Sequence, residues 1–156
     1  MSETRLSMDK IQIVEFIKSL DNDFEIKEGK QFTEVSVPPS KLHSLASLLK
    51  EKEETSFDFL VCITGVDYGH DLGVIYHIRS TRYEQTIVIK TRISDRDNPL
   101  VDSVTDIWKG AELHEREAFD LLGIKFANHP DLRRLFLNSS WGFPLRKDYV
   151  DNDNIS

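Results

Sequence analysis

Between residues 57 and 93 the sequence carries three strand-length patterns in immediate succession, and this triplet limits the fold more than any other feature. "FDFLVCIT" is almost wholly apolar. Phe57, Phe59, Val61 and Ile63 fall on one face, and the unbroken apolarity predicts a central strand. "GVIYHIRS" sets Val74, Tyr76 and Ile78 against Ile75, His77 and Arg79, and "QTIVIKTRI" sets Ile87, Ile89 and Ile93 against Val88, Lys90 and Arg92. Gly69 and Gly73 mark the turn into the second pattern, and "TRYEQ" the turn out of it. Three such strands need a layer to bury their shared face.

The preceding residues supply that layer. Ile13, Phe16, Ile17 and Leu20 recur at helical spacing and end at "DND". "FEIKEGKQFTEVSV" reads as a hairpin turning at Gly29, with Val35 and Val37 on one face. A second helix starts behind the pair Pro38 and Pro39, with Leu42, Leu45, Ala46 and Leu49 as its buried stripe. The order α-β-β-α-β-β-β predicts a two-layer α+β fold, with two helices on one face of a mixed five-stranded sheet. His77, Lys90 and Arg92 keep the outward face polar and open to a partner.

After residue 94 the pattern changes. "SDRDNP" reads as a loop and "SVTDIW" as a short helical turn capped by Ser103. Gly110 opens a helix, "AELHEREAFDLL", which Gly123 stops. Beyond it Pro130, Gly142 and Pro144 punctuate an extended tail with no sustained period. The tail is too rich in aromatic and apolar residues for a free linker. We divide the chain into an α+β body at 1–94, a helix and docking tail at 95–149 within the same structural unit, and a disordered end at 150–156.

Composition removes several function classes. The 156 residues suit one domain. No apolar run reaches bilayer length, and the N-terminal segment has no signal-peptide pattern. A net charge of −7 disfavours nucleic acid as a partner. The lone Cys62 cannot provide a disulfide framework, a four-cysteine iron–sulfur site or a structural zinc site. Cys62 and His77 read as ordinary strand residues. Residues 111–149 are balanced, with six acids and six bases, a composition that favours ion pairing over capture of a charged polymer.

"LHERE" superficially resembles a zinc-protease helix, but the residue four after His114 is Ala118, not a second histidine. A site made from His114, Asp120 and His129 needs a fold-back past the helix stop. Catalysis by Glu115, Glu117 and Asp120 needs convergence, and at about 100° per residue Glu115 and Glu117 diverge. Glu117 and Asp120 suit a solvated face, and Arg116 with Asp120 a plain surface pair. No serine elbow, phosphate loop or dinucleotide fingerprint occurs. The helical wheel places Glu115 in the middle of the apolar face formed by Ala111, Ala118, Phe119 and Leu122. Two readings stand: an internal salt bridge to Arg133, Arg134 or Arg146, or a pair made across an interface with another protein of an assembly.

"EREAFDLLGI", "HPDLRRL" and "WGFPLRKDY" together resemble the signature of the 30 kDa subunit of respiratory complex I (NADH:quinone oxidoreductase). Glu115, Arg116, Glu117, Asp120, Leu121, Leu122, His129 and Arg133 fit its pattern, as do Trp141, Pro144, Leu145, Arg146, Lys147 and Asp148. Phe136 stands where the family usually has an aliphatic residue. The resemblance also takes in Asp131 and Arg134, and the preceding element order is similar as well. It implies a non-catalytic subunit of the peripheral arm, on the cytoplasmic side of a bacterial inner membrane and attached to it only through the complex. The chain itself would hold no metal or cofactor; iron–sulfur clusters and FMN would sit in partner subunits. The implied partners are the large quinone-site subunit, the small terminal-cluster subunit and others of the arm. The chain ends soon after Tyr149, where some relatives continue into a longer tail or a fused quinone-site subunit. Similar subunits occur in membrane-bound hydrogenases and in dehydrogenases with other electron donors, which is the alternative assembly.

Overall fold

The computed structural model describes residues 8–133 and 142–148. Arg134, Trp141 and the end expected to be disordered at 150–156 lie outside the described residues. The elements in order are α1 (Lys10–Leu20), β1 (Glu25–Glu28), β2 (Thr33–Ser36), α2 (Pro39–Glu51), β3 (Phe59–Asp67), β4 (Leu72–Ser80), β5 (Gln85–Ile93), β6 (Leu100–Asp102), α3 (Ala111–Leu122) and β7 (Lys125–Ala127). Strands β1 to β5 form one mixed sheet, ordered β1-β2-β5-β4-β3. The β2–β5 pair is parallel and the other three are antiparallel. This is the expected α+β class with its five-stranded sheet.

Local chemistry explains the helix ends. Asp9 accepts from the Gln12 amide at 2.8 Å, and the Gln12 side chain accepts from the Asp9 amide at 3.0 Å, a reciprocal capping box on α1. Pro39 occupies the first turn of α2, where a missing N–H costs nothing. Gly123 ends α3 at φ 78°, and its N–H donates to the Phe119 carbonyl. Ile13 and Ile17 of α1, the α2 stripe Leu42, Leu45, Ala46 and Leu49, and Val74, Tyr76, Ile78, Ile87 and Ile89 of the sheet share one core.

Strand β3 departs from expectation in two ways. It lies at the sheet edge, not in the centre. Its expected face is also split: Phe59 and Val61 are 51% and 43% exposed, while Leu60 and Ile63 are buried and Phe57 is buried ahead of the strand. The cause is a bulge. Leu60 pairs with Ile78 and Cys62 with His77, so Val61 is an extra residue and the alternation slips. Val88, placed outward by alternation, is nevertheless 4% exposed.

The parallel pair β6–β7 was not evident in the sequence. It brackets α3 and sets that helix against β3. Gly65 makes the approach possible, because a Cβ there would lie 2.5 Å from Leu122 Cδ1 and 3.5 Å from Ala118 Cβ. Gly65→Val should therefore destabilise the chain by about 1–3 kcal/mol, the usual cost of overpacking. Denaturant unfolding measures this, and an unchanged midpoint would contradict the close packing.

Candidate functional site

Glu115 is completely buried, with its partners in its own chain. Ser103 Oγ donates to Oε1 at 2.6 Å, and the Val104 amide donates to Oε2 at 2.9 Å. The carboxyl thus holds the start of the 104–108 turn, whose own first turn closes through Val104. Ser103 also accepts from the Thr105 amide at 3.1 Å, the capping role anticipated for it. The turn is further fixed by Trp108, whose indole N–H donates to the Phe57 carbonyl at 3.1 Å, and by Lys50, which donates to the Ile107 carbonyl at 2.6 Å. His43 pairs with Asp106 at 2.9 Å.

Among the described residues Glu115 has no arginine partner. Two of the three anticipated cations are engaged elsewhere, and the third, Arg134, lies outside the described residues: Arg133 pairs with Asp131 at 2.9 Å, and Arg146 Nε donates to the Leu122 carbonyl at 2.6 Å. His129 lies 3.9 Å from Glu115, but its ring is already committed. Nδ1 accepts from the Asp131 amide at 2.9 Å, which leaves Nε2–H to donate to the Glu112 carbonyl at 3.0 Å. That is the neutral tautomer, so the contact is no ion pair. Burial pushes the Glu115 carboxyl up to about 7; Ser103 and Val104 oppose the rise and Asp106 adds to it.

Arg116 and Asp120 also differ from expectation, being 7% and 0% exposed and not a plain surface pair. Arg116 Nε donates to the Arg133 carbonyl at 3.3 Å, which ties the helix to the segment after β7. Asp120 is buried and does not lie on the solvated face on which its spacing from Glu117 had placed it; Glu117 is exposed. Glu115 and Arg116 are drawn inward, where they meet backbone groups of the flanking segments that need an acceptor and a donor.

The tail returns to the C-terminal end of α3. Pro144 sets a turn closed by Arg146 N–H donating to the Phe143 carbonyl at 3.1 Å. The Leu145 amide bonds to the Leu121 carbonyl at 3.0 Å, and Arg146 caps Leu122. Two of the orphan carbonyls of α3 are thus satisfied, with a cation at the negative end of the helix dipole. Phe143 lies 6.0 Å from Phe119, centroid to centroid.

Lys147 and Asp148 lead to a clamp that the sequence pattern does not reveal. Asp67 at the end of β3 takes a bidentate pair from Arg96, at 2.6 and 2.9 Å. It also accepts from the amides of Gly69 and Lys147, each at 2.8 Å. Arg96 reaches Asp148 at 3.4 Å. The Arg96 guanidinium holds the Asp67 carboxyl well below the usual carboxylate range, burial opposes this, and the two amides reinforce it. The only local signal was an aspartate two residues before Gly69. Arg96 sits in a polar loop that reads as solvated.

The fold of this chain is similar to that of a chain in a respiratory membrane assembly. A chain in the structure of the membrane-bound sulfane sulfur reductase, an archaeal respiratory membrane complex, superposes with a TM-score of 0.77 at 26% identity. The match covers 90% of this chain and 85% of that one. The family described as "Respiratory-chain NADH dehydrogenase, 30 Kd subunit" matches residues 35–154, and the chain belongs to it. The C-type subunit of the NADH-quinone oxidoreductase of Moorella thermoacetica is 40% identical over 139 residues, 87% of this chain and 92% of that protein. The C/D-type subunit of the same enzyme from Phocaeicola vulgatus is 48% identical over 122 residues, 77% of this chain. The chain spans only 23% of the length of that relative, and the same share of the C/D-type protein of Bacteroides thetaiotaomicron, to which it is 43% identical.

Proposed function

We propose that this chain is a non-catalytic subunit of the peripheral arm of a proton-translocating NADH:quinone oxidoreductase. The observation that carries the reading is the continuous match to the 30 kDa family over residues 35–154. Its role is assembly: it packs against the large quinone-site subunit and near the small terminal-cluster subunit, on the cytoplasmic side of the membrane. Electrons pass from NADH through flavin and iron–sulfur clusters held by other subunits, and this chain holds none. No helix among the described residues is long and apolar enough to cross a membrane, in keeping with attachment through partners. The buried polar contacts of Glu115 and Asp67 support a scaffold reading, since they tie together side chains and backbone groups of the chain itself.

A second reading, favoured by the likeness to the sulfane sulfur reductase chain, makes this the equivalent subunit of a reductase, hydrogenase or dehydrogenase complex with another electron donor. Affinity purification of the tagged chain from detergent-solubilised membranes separates the two. The expected result is recovery of quinone-site and iron–sulfur subunits together with NADH:quinone oxidoreductase activity. Recovery of those subunits with a different donor activity selects the second reading. Recovery of the chain alone refutes both.

A further inference from the structure

We infer that the free edge of β3, at Phe59–Thr64, takes an extended strand from another subunit of the complex, which completes the sheet as a sixth strand. The inference rests on the proposed function and adds to it the docking surface and the mode of docking.

The first support is a conflict between sequence and position. From Phe59 to Val66 the chain reads FLVCITGV, with no charge and no proline. That composition belongs to strands covered on both sides, yet the strand ends the sheet. An edge strand exposes a row of N–H and C=O groups, and proteins ordinarily blunt such rows with lysine, proline or a cover. Here the only such device is the bulge at Val61. Among the described residues the main-chain groups of Phe59–Val66 bond only within the ladder to β4. A strand left bare in this way is central once its neighbour arrives.

The second support is what the bulge exposes. It leaves Phe59 and Val61 in solvent at 51% and 43%, with Thr64 also exposed further along the strand. Arg79 is the register partner of Phe59 and is half-buried on the same outward face. A matching strand therefore carries apolar side chains over Phe59 and Val61 and an acid within reach of Arg79. Main-chain pairing supplies the attachment and these side chains the selectivity. Glu115, Arg116 and Asp120 of α3 are buried and engaged within the chain, which leaves this edge as the larger unsatisfied feature. A second copy of this chain is the competing occupant.

The test uses the full chain, tagged, in cells that assemble the complex, with Val61→Lys and Thr64→Lys as separate variants. Both residues are exposed, so the unfolding midpoint of each purified variant should match wild type. Recovery of the other subunits, identified by mass spectrometry, should fall about tenfold or more, because a partner strand would bury an unpaired ammonium. Amide exchange at residues 59–64 should slow in the wild-type complex relative to the isolated chain, a readout independent of the variants. Undiminished recovery with unchanged exchange overturns the inference. So does loss on Leu113→Lys of α3 with none on either β3 variant. Self-association of the isolated wild type that Val61→Lys abolishes assigns the edge to a second copy and likewise overturns it. If the wild type recovers no other subunit, the proposed function itself fails and the inference goes with it.

Discussion

Asp67→Ala lowers the stability of the chain by about 3 kcal/mol and releases the Lys147 amide from the sheet edge. Removing one partner of a buried ion pair costs roughly 3–5 kcal/mol, because the other charge is left without compensation. The Asp67 side chain is 3% exposed but that of Arg96 is 19% exposed, so water recovers part of the loss and the lower end applies. In a chain of this length each kcal/mol shifts the thermal midpoint by about 2–4 °C, which puts the variant roughly 6–12 °C below wild type. The Lys147 amide loses its acceptor, so its hydrogen exchange should rise towards that of an exposed amide. The pH dependence has a definite sign. A carboxylate whose folded pKa is depressed contributes above its unfolded value of about 3.9, and that contribution fades as pH falls toward the folded value. The gap between variant and wild type should therefore hold from pH 5 upward and close only in stronger acid. A constant gap down to pH 2 would mean that Asp67 acts by packing and not by charge.

The elements that the sequence revealed are those in which one period runs without interruption. The stripe of α2 and the alternation of β4 could be read directly because each buries a single continuous face. Strand β3 departs from simple alternation because one extra residue at Val61 shifts the phase, and a bulge has no compositional mark of its own. β6 and β7 are three residues each and pair across more than twenty positions, too short for any period to register. The site failed to show for a different reason. Glu115 was recognisable as an acid on an apolar face, but its partners are a hydroxyl and a backbone amide, and backbone donors are invisible in a string of side chains. Arg96 and Asp67 are each ordinary loop or strand-end residues until the fold sets them side by side.

Glu115→Gln is expected to remove most of the pH dependence of stability between pH 4.5 and 7 and to make the chain more stable than wild type at pH 8. In the unfolded chain this carboxyl ionises near 4.5; in the folded chain burial holds it protonated up to about 7. Between those values the folded state binds the extra proton, so unfolding becomes easier as pH rises, and above 7 the loss levels off. At about 1.4 kcal/mol per pH unit, the wild-type loss is on the order of 3 kcal/mol. Glutamine keeps an acceptor for the Val104 amide and a donor for Ser103 without bringing a charge into the core. Its second N–H has no partner of its own and offsets about 1 kcal/mol of the gain. The net advantage at pH 8 is then about 2 kcal/mol, and at pH 4 it vanishes or reverses. Denaturant unfolding at several pH values checks both limbs. Glu115→Ala discriminates further, because it strands the buried Val104 amide and should destabilise at every pH. A salt bridge to arginine would give the opposite slope in wild type: a depressed carboxyl gains stability as pH rises through 4, and replacing it with glutamine would cost most at pH 8. The direction of the crossover therefore separates a neutral acid that clasps a turn from an ion pair.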